Sequence, residues 1–167
     1  MKDARLGFGE QIVPLKAPVD SAGTAFATPY VNIKNALHAT FFYYAGVVTA
    51  TSADQAVVIT FEAATSAASS ATEVQIPFKY RKSGATGTDT WGAITSGVAA
   101  TGYSYGTTDD GSMVLFDIDF AALYALQPDA THIRMVVGID AGGTVTLNAA
   151  WAVLDPRYPA LSHVSAS

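Results

Sequence analysis

The chain contains no cysteine among its 167 residues, so disulfide bridges, zinc–thiolate centres and thiol nucleophiles are excluded. Charged residues are also scarce. They make up 14% of the chain, where about a quarter is usual for a globular domain. Half of the residues are apolar, which is enough for a sizeable core. Two interpretations follow: a β protein with many small residues packed between sheets, or a protein whose surface is largely covered by partners.

The sequence also lacks a strongly basic segment and a long apolar run. The net charge is −5, and the largest basic group is Lys79, Arg81 and Lys82, which is too small to neutralise a nucleic-acid backbone. No run of about 18 apolar residues is present, so no membrane-spanning helix is predicted. The first ten residues lack the apolar core of a signal peptide, which predicts folding in the cytosol of the cell that makes the protein.

No catalytic constellation is evident. The three histidines, His38, His132 and His163, have no metal-ligand spacing, and no serine lies in a Gly-x-Ser-x-Gly motif. No glycine-rich loop precedes a helical pattern, as a phosphate-binding loop would require. We therefore predict no enzyme activity, no cofactor and no metal site.

The carboxylates between residues 109 and 119 are the nearest approach to a chemical site. Asp109 and Asp110 precede Gly111 and fit a hairpin turn, because Asp-Gly tolerates the positive φ of such turns. Asp117 and Asp119 flank one apolar residue and are predicted to share one strand face. A calcium ion near Asp109 and Asp110 stays an open alternative. A hydrolase that uses either of these two aspartates ranks last, because no second carboxylate stands at a defensible position.

The strongest pattern present is the alternation of residues 73–81. Val74, Ile76, Phe78 and Tyr80 fall on one side, and polar residues and Pro77 fall on the other. Successive side chains of a strand point to opposite faces, so the segment is predicted to form one long, half-buried strand. Pro77 has no N–H for a strand ladder and indicates an edge position or a bulge.

Similar alternation recurs along the chain and predicts an all-β fold. About eight strands separated by turn signals every ten to fifteen residues indicate a single antiparallel β-sandwich or jelly roll. One short helix is predicted at residues 121–126, ended by Pro128. The predicted shared core consists of Val57, Ile59, Phe61, Val74, Ile76, Phe78, Leu147 and Trp151.

Four consecutive aromatic residues, Phe41, Phe42, Tyr43 and Tyr44, place two rings on each face of a predicted strand. One face can enter the core, and the other must be covered by a second sheet, by the N-terminal segment or by another subunit. We predict that the protein forms an oligomer, namely a trimer, and that one of the two aromatic faces of this strand lies in or near the contact between subunits.

The N-terminal segment, residues 1–28, has no clear period. It carries Leu6, Phe8, Ile12 and Val13, which is more apolar than a solvated tail, together with two prolines that disfavour helix. It is interpreted as an extended arm that packs on its own domain or on a neighbour and becomes ordered only against a partner. The alternative is a single first strand at residues 11–15. The folded body is predicted to span residues 29–158, followed by a free tail at residues 159–167.

Several segments resemble, in pattern and order, a family of small structural proteins of tailed bacteriophages, the capsid decoration or cement proteins. The segments are Thr-Pro-Tyr-Val-Asn-Ile-Lys-Asn-Ala at 28–36, Ile-Pro-Phe-Lys-Tyr-Arg at 76–81, Asp-Thr-Trp at 89–91, and Trp-Ala-Val-Leu-Asp-Pro-Arg-Tyr at 151–158. The resemblance implies a β-sandwich or jelly-roll subunit, often trimeric, that binds the major capsid protein on the outer surface of the virion. Together with the N-terminal segment and the aromatic strand, it predicts a protein that stabilises the head by bridging capsid subunits. It also implies a protein without enzyme activity.

A carbohydrate-binding β-sandwich, free or on a phage fibre, is the alternative function. Trp91, Tyr103 and Tyr105 lie in loop-rich sequence and could form a stacking platform for sugar rings. Burial of these rings would remove that alternative.

Overall fold

Most of the residues that the structure describes lie in β-strands. A computed structural model describes residues 10–20, 24–49, 57–68, 72–84, 87–139, 143–145 and 147–156. The strands in these ranges are β1 (Gln11–Val19), β2 (Phe26–Ala27), β3 (Val31–Asn32), β4 (Ala36–Ala45), β5 (Val48–Thr49), β6 (Val57–Ala64), β7 (Glu73–Gln75), β8 (Phe78–Lys82), β9 (Thr95–Gly97), β10 (Tyr103–Tyr105), β11 (Met113–Ile118), β12 (His132–Ile139), β13 (Thr144–Val145) and β14 (Asn148–Pro156). A 3-10 turn spans Thr107–Asp109, and helix α1 spans Phe120–Leu126.

Two antiparallel sheets pack face to face and confirm the predicted all-β sandwich. The first sheet has the order β1-β14-β4-β11-β8-β9, and the second has the order β10-β6-β12-β2. Strand β3 also pairs with β12, strand β7 pairs with β6, and β13 and β5 form a small ribbon. Without the β8–β9 extension, each sheet contributes four strands in the order of a jelly roll.

The core lies between the sheets and is centred on phenylalanine rings. Phe61 of the second sheet lies 5.1 Å from Phe41 and 5.2 Å from both Phe78 and Phe116, measured between ring centroids. These three partners belong to β4, β8 and β11 of the first sheet. All four rings are buried, so this cluster joins the two sheets at their centre.

The prediction of one strand over residues 73–81 is wrong, although its inward face is correct at the centre. Strand β7 pairs with β6 of the second sheet, whereas β8 pairs with β11 of the first. The chain changes sheets at Pro77, which cannot donate to either ladder. Ile76 and Phe78 on either side remain buried, whereas Val74 and Tyr80 are half-buried.

The predicted inward face of the last strand is also wrong. Leu147 has a φ of 53° and is 51% exposed, and Trp151 is half-buried on the side away from the core. Ala150 and Ala152 point inward instead. They lie opposite the buried rings of Tyr43 and Phe41 on β4, so small side chains are needed there to make room for large neighbours.

Residues 11–19 pack on the chain's own domain, which was one of the two alternatives for the N-terminal segment. The expectation that they become ordered only against a partner is wrong. These residues form β1, which pairs with β14 at the edge of the first sheet, and Leu15 is buried. The alternative of a first strand at residues 11–15 is closer, but the strand continues to Val19. Strand β2 then pairs with β12, so the domain begins before residue 29. Leu6, Phe8 and the tail at residues 159–167 lie outside the described residues.

The predicted short helix is confirmed as α1. Asp119 was predicted to lie on a strand face, but it precedes this helix instead. The Asp119 carboxylate accepts hydrogen bonds from the backbone N–H groups of Ala121 at 2.9 Å and Ala122 at 3.3 Å. It therefore caps α1, since such bonds satisfy N–H groups that lack a helical partner. Asp117 alone remains on the strand face.

Gly97 in β9 should tolerate no side chain. A Cβ atom built there would overlap the ring of Phe78, which is buried and cannot move aside. We expect Gly97→Ala to lower the free energy of unfolding by about 1–3 kcal/mol through overpacking, measured by urea denaturation. Gly92→Ala is the control, because its Cβ would meet its nearest atom at 3.4 Å. It should change stability by no more than about 0.5 kcal/mol. Equal effects of the two variants would contradict the packing argument.

Candidate functional site

The side of the first sheet that faces away from the core carries a continuous apolar surface. Its members are Ile12, Phe42, Tyr44, Met113, Leu115 and Trp151, which come from four neighbouring strands; this set is called the outer face below. Each is half-buried or exposed, whereas its neighbours in the same strand point into the core. An apolar sheet face of this kind marks an interaction surface in soluble proteins.

A row of three side chains crosses the centre of the outer face. Phe42 on β4 has Trp151 of β14 as its register partner on one side and Leu115 of β11 on the other. The rings of Phe42 and Trp151 stack with their centroids 5.4 Å apart and their planes 4° from parallel. Because the rings support each other, they form a rigid platform without help from the core.

The candidate interface residues of the sequence prediction divide between the two sides of this sheet. Phe41 and Tyr43 are fully buried in the core, so they are not interface residues. Phe42 and Tyr44 lie on the outer face. This agrees with the prediction that two of the four rings point away from the core. In β1, Ile12 is 47% exposed on the outer face. Its neighbour Val13 packs against the core.

One end of the outer face is cationic and is called the cationic end below. Lys79 and Arg81 lie on β8, and the guanidinium of Arg81 stands 4.9 Å from the centroid of the Trp91 ring. His38 Nε2 pairs with the carboxylate of Asp117 close by. These groups surround an open depression of about 510 Å³ that is lined by His38, Thr40, Lys79, Tyr80, Arg81, Ile94, Ser96, Leu115 and Asp117.

The opposite side of the sandwich, formed by the second sheet, carries a cluster of paired charges. Arg134 on β12 contacts Glu62 at 2.8 Å and Glu73 at 2.7 Å. The Tyr30 hydroxyl donates to Glu73, and burial together with this bond raises the pKa of Tyr30 to about 12. Burial and the nearby Lys34 lower the pKa of His132. These contacts hold β7 and the chain around Tyr30 against the second sheet. The charges of Arg134, Glu62 and Glu73 therefore have a structural role.

Asp109 and Asp110 hold the turn before β11. Asp109 is buried, pairs with Lys82 and accepts a hydrogen bond from the Gly106 N–H at 3.0 Å. Asp110 accepts from the Val48 N–H at 2.8 Å. Both carboxylates therefore serve the fold. Within the described ranges, no group of three or more His, Asp or Glu side chains is placed to hold a metal ion.

The predicted sugar-stacking platform is wrong. Tyr105 is fully buried, and its hydroxyl lies within hydrogen-bond distance of backbone carbonyl oxygens that include Ser112 O at 2.8 Å. Tyr103 is only 8% exposed and packs at 4.7 Å from the ring of Tyr80. Of the three aromatic residues, only Trp91 has an exposed ring, so the three cannot form one surface.

Within the part of the chain that the structure describes, no histidine lies in a group placed to hold a metal ion. His132 pairs through Nδ1 with the Thr131 hydroxyl at 2.7 Å, and His163 lies outside the described residues. No helix in the described part of the chain has the length and apolar character needed to cross a lipid bilayer.

The sequence prediction missed Met113, Leu115 and Trp151 as surface residues. Alternation over residues 113–118 places Val114, Phe116 and Ile118 on one face and Met113 and Leu115 on the other. That signal was present in the sequence. Trp151 could not be placed in this way, because the register of β14 depends on the break at Leu147.

No protein-family model, no curated protein and no solved structure matches the chain.

Proposed function

We propose that the protein is a virion structural protein, a capsid decoration or cement protein, that binds the major capsid protein through its outer face. The observation that carries the proposal is the apolar outer face itself, on a domain whose opposite side carries the paired charges of Arg134, Glu62 and Glu73. The sequence resemblance supports the capsid as the partner. Residues 28–36, 76–81, 89–91 and 151–158 carry it, and the last two segments contribute Trp91 and Trp151 to this side of the molecule.

The composition of the outer face fits a binding surface. Aromatic residues and methionine are enriched at the centres of protein interfaces, and charged residues are depleted there. Phe42, Tyr44, Met113 and Trp151 are of these types. Stacked, partly buried rings lose little conformational freedom on binding, so their burial against a partner yields most of its hydrophobic gain. Tryptophan and tyrosine are also the residues that most often dominate interface energies.

The bridging role moves from the N-terminal arm to this face. Residues 11–19 are committed to the domain's own sheet as β1, so they cannot extend across a neighbouring subunit. The outer face is available in the folded domain, and its area spans four strands. Assembly into a trimer, a location on the capsid surface and synthesis in the bacterial cytoplasm remain parts of the proposal.

Leu115→Asp should abolish binding to capsids assembled without this protein. The substitution places a charge at the centre of the outer face, and its burial against a partner would carry a large desolvation cost. We expect at least a 100-fold loss of affinity in co-sedimentation with such capsids, equivalent to about 2.7 kcal/mol. Trp151→Ala, which removes half of the stacked platform, should cost at least about tenfold.

Val136→Asp is the matched control. Val136 is half-buried, lies on a central strand and faces outward from the second sheet, so the chemical change is the same on the opposite side. It should bind capsids like the parent, and thermal melting should show that all three variants are folded. Parent-like binding by Leu115→Asp, an equal loss with Val136→Asp, or failure of the parent to bind capsids would each overturn the proposal.

A further inference from the structure

We propose that the cationic end of the outer face is a carboxylate-binding subsite, which docks an acidic, apolar segment of the partner protein. The inference rests on the proposed function, because it names the chemistry that the same face recognises. It goes further by assigning Lys79 and Arg81 as the residues that select the partner, with the aromatic platform supplying the apolar contact.

Among the described residues, neither Lys79 nor Arg81 forms an ion pair with a carboxylate. Lys82 pairs with Asp109, and Arg134 pairs with two glutamates on the opposite side. Asp117 is the acidic group nearest to Lys79 in the sheet register, but its carboxylate is engaged by His38. The cationic end holds two cations and one carboxylate, Asp117, so its net charge is positive on a protein whose overall charge is −5. Such a local reversal of sign steers acidic partners toward one place on the surface.

The geometry of β8 suits two carboxylates in a row. Lys79 and Arg81 are two residues apart on a strand, so they point to the same side at a spacing of about 6–7 Å. An extended partner segment with acidic residues at alternate positions has the same spacing. Arg81 is held against the Trp91 ring at 4.9 Å, which orders the guanidinium before binding and leaves its fork of donors open.

The walls of the depression favour a peptide over a phosphate-rich ligand. Leu115 and Ile94 give it apolar sides, and Ile94 is 70% exposed. Thr40 and Ser96 add hydroxyl groups that can bond a carboxylate or a peptide backbone. Two cations are too few to hold a nucleic-acid backbone. The depression shares Leu115 with the platform of Phe42 and Trp151, so a ligand there continues onto apolar surface. An extended protein segment with acidic residues at two alternate positions and apolar residues at the next alternate positions presents both types to one face, so it matches both parts.

Intrinsic fluorescence can report binding selectively, because both tryptophans of the chain lie on this side of the molecule. The probe is an acetylated, amidated peptide with the sequence Glu-Ser-Glu-Ser-Leu-Ser-Leu, called the Leu-Glu peptide below, in which both glutamates and both leucines lie on one face of the extended chain. It is titrated into the full-length protein. We expect a saturable change in tryptophan emission that weakens as salt is raised. The same peptide with glutamine in place of glutamate should bind at least about tenfold more weakly. Equal binding of the two peptides would overturn the subsite.

An oligosaccharide of uronic acid units tests the competing ligand class. It carries carboxylates at regular spacing but no apolar side chains for the platform. Binding of the oligosaccharide that is tighter than that of the Leu-Glu peptide would overturn the assignment of a protein partner. Weaker binding of the oligosaccharide supports a protein partner, because it shows that carboxylates without apolar side chains do not give full affinity.

Charge reversal separates the subsite from the rest of the face. Lys79→Glu and Arg81→Glu should each lower affinity for the Leu-Glu peptide and for capsids at least about tenfold and flatten the dependence on salt. Arg81→Lys should recover only part of the loss, because an ammonium cannot replace the planar fork. Lys34→Glu is the control, since Lys34 is exposed near the second sheet and undergoes the same change of charge.

The variants also distinguish the two proposals from each other. If Leu115→Asp abolishes capsid binding while Lys79→Glu and Arg81→Glu bind capsids and peptide like the parent, the outer face is the interface and the carboxylate subsite is wrong. If Leu115→Asp binds capsids like the parent, the proposed function itself fails. A loss with Lys34→Glu equal to that of Arg81→Glu would show a general charge effect and overturn the subsite.

Discussion

Phe61→Ala is expected to lower the free energy of unfolding by about 3–5 kcal/mol, the usual cost of removing a fully buried phenylalanine ring. Phe61 is the ring of the second sheet that contacts Phe41, Phe78 and Phe116 of the first. Its removal leaves a cavity that none of these rings can fill without leaving its own partners. Small domains are stable by only about 5–15 kcal/mol, so urea denaturation should show a large shift of the midpoint.

Phe42→Ala removes the same atoms from the outer face and is the control. Its ring is half-buried and contacts Trp151 from one side, so the expected loss is about 1–2 kcal/mol. A comparable loss for the two variants would mean that the core is not centred on Phe61. The sequence-based core also contained Phe78, whose ring lies in the same cluster, so Phe78→Ala should behave like Phe61→Ala.

Strict alternation was the part of the sequence that predicted the fold well. In β6 the inward residues Val57, Ile59 and Phe61 are all fully buried, and in β12 so are Ile133 and Met135. A strand places successive side chains on opposite faces, so one apolar face and one polar face determine which side is inward. This contrast predicted the inward face correctly in β6, and at Ile76 and Phe78 within residues 73–81. It did not predict that the latter segment divides into two strands at Pro77.

Alternation could not orient a strand that is apolar on both faces. In β14 the larger side chains, such as Trp151, were predicted to point inward, whereas Ala150 and Ala152 do so. A shift of one residue exchanges the two faces, and the unusual backbone at Leu147 produces that shift. The small residues are required by the rings of Tyr43 and Phe41 on β4, about a hundred residues earlier in the chain. Local sequence does not contain that information.

The candidate site was predictable only in part for a similar reason. The run of four aromatic residues indicated that two rings leave the core, and Phe42 and Tyr44 are those rings. The cationic end required knowledge of pairing, because Arg81 reaches the outer face through the β8–β11 ladder after the chain changes sheets at Pro77. A single strand over residues 73–81, as predicted, would have kept Arg81 in the same sheet as Glu73.

A chain that begins at Pro29 is expected not to fold into a stable domain. It lacks β1, which pairs with β14 at six registered positions, and β2, which pairs with β12. It also loses the buried Leu15 and the partly buried Val13 and Phe26, whose packing together contributes on the order of 3–4 kcal/mol, a large part of the stability of a small domain. Far-ultraviolet circular dichroism during heating should show no cooperative transition, or one at a much lower temperature than in the full chain.

Point variants in β1 test the same conclusion in a protein that still folds. Leu15 is buried and Ile12 is 47% exposed, although both lie on one strand. If β1 belongs to the domain's sheet, Leu15→Ala should cost about 2–5 kcal/mol in the isolated protein, and Ile12→Ala should cost less than about 1 kcal/mol. If residues 11–19 become ordered only against a partner, neither change alters the melting of the isolated protein. The second result, together with a stable chain from Pro29, would restore the N-terminal arm and remove the reason for locating the bridging contact on the outer face.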